Sequence, residues 1–127
     1  MSNVPRLILA LAVAAGTTQT RAGEWLQERR VGDYVIELRV APRSQVIETP
    51  FVLAITRADG KPVATAKATG RANFSSAGLK GVATLHPDGE NRMKGHGLMS
   101  ESADMRIEVS MSLPGEASLE VIFAAGR

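Results

Sequence analysis

The chain has 127 residues, with 15 Lys and Arg against 13 Asp and Glu, a formal charge of +2, and no cysteine. This balance, with no basic stripe interleaved with aromatics, argues against a nucleic-acid binder. The missing cysteine excludes disulfides and a cysteine-linked lipid anchor. One Trp, one Tyr and three Phe leave the core to be built from Val, Leu, Ile, Met and Ala.

Leu7 to Gly16 (LILALAVAAG) follows the single charge of Arg6 and precedes the small, polar stretch TTQTRAG. A charged start, a short apolar run and small residues before a cut form the layout of a secretory signal peptide. A membrane-spanning helix needs roughly twice that apolar length. Cleavage after Ala22 puts Thr20 and Ala22 at the small-residue positions, with Ala15 or Gly16 as other options. The expected organisation is a signal peptide at 1–22 and one domain at 23–127, periplasmic or secreted. Loss of Arg6 and Arg21 lowers the basic count from 15 to 13, equal to the acidic count, so the mature chain is formally neutral.

Glu24 to Arg30 (EWLQERR) reads as a short amphipathic turn, with Trp25 and Leu26 covering one end of the domain. From Asp33 onward the apolar pattern has period two, the signature of strands. Tyr34, Ile36, Leu38 and Val40 share one face. Phe51 to Arg57 is a second strand entered after Pro50, with Val46-Ile47 as a short earlier piece, and Asp59-Gly60-Lys61-Pro62 is a turn. Residues 63–72 predict a weak Ala/Thr-rich strand at or near an edge, followed by a loop at NFSSAG. Leu79 to Leu85 is a strand, His86-Pro87-Asp88-Gly89 a turn, and Asn91 to Met99 a strand that its two glycines bulge or bend. Met105, Ile107, Val109, Met111 and Leu113 face inward on the next strand, and Leu119, Val121 and Phe123 on the last. About seven short strands with turn signals every 8 to 12 residues predict an all-β fold, an antiparallel immunoglobulin-like β-sandwich.

The unusual pattern is sulfur. Met93, Met99, Met105 and Met111 recur every six residues, with His96 between the first two and His86 just upstream. Thioether and imidazole ligands suit copper, thioethers favouring Cu(I). Met93, His96, Met99 and His86 are therefore the candidate metal ligands, and a copper ion the candidate cofactor. A regular strand puts Met93 and His96 on opposite faces, so a shared ligand sphere requires a bend at Gly95-His96-Gly97. The alternative is that methionine fills core here, as it does on many strand faces.

Nothing in the chain supports catalysis. No nucleophile elbow surrounds a serine, neither histidine belongs to a triad pattern, the carboxylates are scattered, and zinc-site spacings are absent. Gly78-Leu79-Lys80-Gly81 and Gly95-His96-Gly97 lack the strand–loop–helix setting of a phosphate cradle. The expectation is a non-enzyme.

The strand IELRV, then FVLAITRADGKPV, the LHPDGENRMKGHG segment and the closing SMSLPGEASLEVIF resemble the small periplasmic immunoglobulin-like domains of the FixH, YtkA and CopC type, found beside copper and heavy-metal handling systems. The likeness spans residues 33–124. It implies a sandwich in a metal-homeostasis setting, with envelope efflux or adaptor proteins as partners. The chain departs from the CopC pattern in lacking a histidine at the mature N-terminus and a dense Met-x-Met run. Two functions follow: a copper carrier using the Met/His window, or a docking module without a metal, using the edge at 63–72 for β-augmentation.

Overall fold

Period-two alternation is realised as eight strands and no helix among residues 24–125, which the computed structural model describes. They are β1 (Trp25–Val31), β2 (Tyr34–Val40), β3 (Ile47–Arg57), β4 (Thr69–Ser76), β5 (Leu79–Pro87), β6 (Arg92–Met99), β7 (Arg106–Leu113) and β8 (Ala117–Ala124). The expected signal peptide lies outside the described residues. No helix among them is long and apolar enough to cross a membrane.

All pairings are antiparallel, and the strands form one sheet in the order β1-β2-β3-β6-β5-β4-β7-β8. β4, β5 and β6 follow one another, and the chain then returns so that β7 lies beside β4, a Greek-key arrangement. The two ends of the order, β1 and β8, come together and nearly close the sheet into a barrel. The all-β antiparallel class is therefore as expected. The finer expectation differs: there are eight strands, and they make one nearly closed sheet.

The extra strand is β1, where a short helical turn was expected. Its seven residues pair with β2 from Trp25↔Val40 to Val31↔Tyr34. The polar residues Gln27 and Arg29 fall on the inward side, which obscures the period in the sequence. Gln27 is fully buried. Its Nε2 donates to the Ala124 carbonyl at 2.8 Å, and its Oε1 accepts from Arg29 Nη2 at 2.8 Å. The Arg29 guanidinium lies 5.6 Å from the centre of the Phe123 ring. Side chains thus join β1 to β8, and the buried amide is satisfied as burial of a polar group requires.

The expected edge strand at 63–72 is corrected in two ways. Residues 63–68 are not a strand, though Val63 and Ala68 are buried. There the buried Thr65 hydroxyl donates toward the carbonyls of Gly89 and Arg92, at 3.3 and 3.0 Å. The strand begins only at Thr69, runs through the expected loop to Ser76, and has β5 on one side and β7 on the other. It is central, so it offers no edge for a partner.

The β4–β5 hairpin turns on Ala77 and Gly78, at φ +51° and +83°. Two consecutive left-handed residues match the hand of twisted strands. The turn is tied to the crossover before β7, because Ala77 N–H donates to Asp104 Oδ1 at 2.9 Å and to Ser102 Oγ at 3.1 Å. The Ser102 hydroxyl and this amide hold the Asp104 carboxyl below its usual range.

At the opposite end, Tyr34 O–H donates to Glu116 Oε1 at 2.7 Å while Arg57 pairs with the other carboxylate oxygen. These bonds, Tyr34 first and Arg57 second, hold the Glu116 carboxyl below the usual range. A depressed carboxylate contributes stability above its unfolded value and loses it as pH falls through the folded one. The melting-temperature gap between wild type and Glu116→Gln should therefore be present at pH 7 and shrink as pH falls below about 4. Added salt should narrow it at pH 7, because the pair is solvent-accessible. A gap that widens in acid would show that Glu116 acts otherwise.

Candidate binding site at the β5–β6 seam

The sheet is not uniformly paired. β3 and β6 share an unbroken ladder from Ile47↔Met99 to Ala54↔Arg92, whereas β5 and β6 share only His86↔Lys94 and Pro87↔Met93. Beyond those two pairs, β5 from Leu79 to Leu85 has a ladder partner on its β4 side alone.

Glycine explains what fills the seam. A Cβ on Gly97 would stand 2.3 Å from Phe74 Cζ, and one on Gly81 2.5 Å from the same atom. One ring, reaching from β4, therefore lies against both strands where their hydrogen bonding lapses. Gly95 similarly makes room for Phe51, whose Cζ would be 2.8 Å from its Cβ. The glycines of β6 admit rings and do not interrupt its ladder with β3.

This regularity decides where the candidate metal ligands go. Met93 and Met99 point inward and are fully buried, and Met105 and Met111 are buried too. His96 points outward with its side chain 64% exposed, and its Nδ1 contacts Glu48 Oε2 across the β3–β6 ladder. His86 is also exposed, on β5. The structure thus separates the expected set into two thioethers inside and two imidazoles outside. Among the described residues, no three His, Cys, Asp or Glu gather in a way that could hold an ion.

What the seam does bring together is a hollow of about 540 Å³. The Phe74 ring, Gly81, Ala83 and Gly97 form its floor, and Leu79, Val82 and Leu98 its apolar walls, with His86, His96 and Glu48 at the rim. Val82 and Leu98 are 61% and 59% exposed, the highest values among the large apolar side chains described.

Comparison with protein-family models, with curated proteins and with solved structures finds no match.

The hollow is shallow and open, unlike the enclosed clefts that bury most of a small ligand. Its charges are unevenly satisfied. Glu48 contacts His96, Asp88 lies 3.7 Å from Lys94, and Glu108 accepts from Arg106 at 2.8 Å. No side-chain hydrogen bond or ion pair within the described residues engages Lys80 or Arg71.

The histidines were singled out from the sequence, but the apolar walls were not. A signal existed in LKGVATL and HGLM: the inward positions carry Gly81 and Gly97 while the outward ones carry Val82 and Leu98. This inverts the usual pattern of large inside and small outside.

Proposed function

We propose that this chain is an exported, non-catalytic interaction module that docks an envelope partner at the β5–β6 seam. The observation carrying this reading is the stretch of β5 that lacks ladder pairs on its β6 side, beside Val82, Leu98 and Leu79 and the Phe74 ring. A partner's bulky apolar side chain would sit between Val82 and Leu98, losing contact with water at roughly 25 cal/mol per Å² of buried apolar surface. Main-chain groups of an extended segment would meet the β5 groups that lack a ladder partner, the logic of strand addition. The resemblance to periplasmic metal-handling domains supplies the setting, with an efflux or adaptor component as the partner.

The copper-carrier reading is less well supported. A soft site would need β6 to leave its ladder with β3 before Met93 and Met99 could reach a ligand sphere containing His96 and His86.

Selection of displayed extended peptides against the protein tests the docking reading. Peptides with a bulky apolar anchor should be enriched, and Val82→Asp with Leu98→Asp should abolish their binding while the melting temperature is preserved. Equal binding by wild type and variant would refute the seam as the docking surface.

A further inference from the structure

We infer that the segment received at the seam is acidic, with a bulky apolar residue flanked by carboxylates; this rests on the docking reading above. The argument is charge complementarity around an apolar centre. Val82 lies opposite Asn73 on β4, and Thr84 opposite Arg71. Arg71 is thus the diagonal neighbour of Val82 on the outer face, within reach of a long side chain. Lys80 lies two residues before Val82 on the same face, about 7 Å along the strand.

Two carboxylates beside this centre have partners within the domain: Glu48, opposite Leu98, contacts His96, and Glu108, opposite Asn73, accepts from Arg106 at 2.8 Å. Lys80 and Arg71 have none there. The local surface therefore carries two cations without an ion-pair partner on either side of Val82, on a mature domain whose overall charge is formally zero. An acidic segment would supply both missing partners, and a basic one would meet like charge on either side of its anchor.

An extended peptide suits the site better than a free amphiphile. On its β6 side, β5 from Leu79 to Leu85 lacks ladder pairs, and another main chain can match its N–H and C=O groups in series.

The test uses the purified protein and three soluble probes followed by amide chemical shifts: a capped peptide Glu-Asp-Phe-Asp-Glu, the same peptide with Lys at every acidic position, and dodecanoate. The acidic peptide should perturb Gly81, Val82, Gly97 and Leu98 and bind about tenfold more tightly than the basic one. The preference should shrink as salt rises. Lys80→Glu with Arg71→Glu, both exposed positions, should reverse it without lowering the melting temperature. Should that variant fail to fold, Lys80→Gln with Arg71→Gln should erase the preference.

Equal binding of both peptides at the seam would overturn the acidic assignment and leave the docking reading standing. Dodecanoate binding more tightly than the acidic peptide would overturn the peptide assignment. Absence of any shift at the seam with all three probes would overturn the inference; failed peptide selection alongside it would remove the docking reading as well.

Discussion

Gly97→Ala should lower stability by about 3 kcal/mol, the upper part of the range for overpacking a filled core. The added methyl carbon would fall 2.3 Å from Phe74 Cζ and 2.4 Å from a second ring carbon. Phe74 is itself 6% exposed and lies against Gly81 as well, where a Cβ would stand 2.5 Å away. The ring cannot escape one strand without striking the other. Phe74→Leu shortens the side chain and should restore part of the loss, so the two substitutions should couple by about 1 kcal/mol or more in a double-mutant cycle. Urea unfolding of the four proteins measures this directly. Additive effects would mean that the ring is not held between the two glycines.

Met93→Ala and Met99→Ala should each cost about 2–5 kcal/mol, whereas Met93→Leu and Met99→Leu should cost under about 1.5 kcal/mol. Both side chains are fully buried among apolar neighbours, and Leu replaces most of their volume without a thioether. A role in packing distinguishes Ala from Leu by size. A role as copper ligand distinguishes neither, because both lack sulfur. Titration with Cu(I) against a competing chelator completes the comparison. Stoichiometric copper binding by wild type that Met93→Leu and Met99→Leu abolish, at unchanged melting temperature, would restore the metal-carrier reading. The docking reading expects both proteins to compete equally weakly.

Much of the strand pattern was legible because alternation is local. Ile36, Leu38 and Val40, then Ile107, Val109, Met111 and Leu113, then Leu119, Val121 and Phe123, all point inward where period two puts them. Legibility failed where a long-range contact outweighed the local signal. At β1, Gln27 and Arg29 face inward because β8 supplies a carbonyl and an aromatic ring for them, and no local window contains either partner. At β6, Gly95 and Gly97 suggest a bulge or bend when read alone, yet the ladder with β3 is unbroken and the glycines leave space for rings from β3 and β4. Likewise, whether a weak Ala/Thr-rich segment is an edge depends on which strands flank it, and β4 gains both neighbours from distant parts of the chain.

The sequence by itself determined the all-β class, most of the inward faces and the separation of Met93 from His96 in any regular strand, since each follows from side chains alternating along an extended backbone. Only the tertiary structure decided that β6 stays regular, that the sheet nearly closes through Gln27, and that its pairing lapses between β5 and β6. Those outcomes depend on how strands distant in sequence meet, and on one phenylalanine ring competing with two strand backbones for the same space.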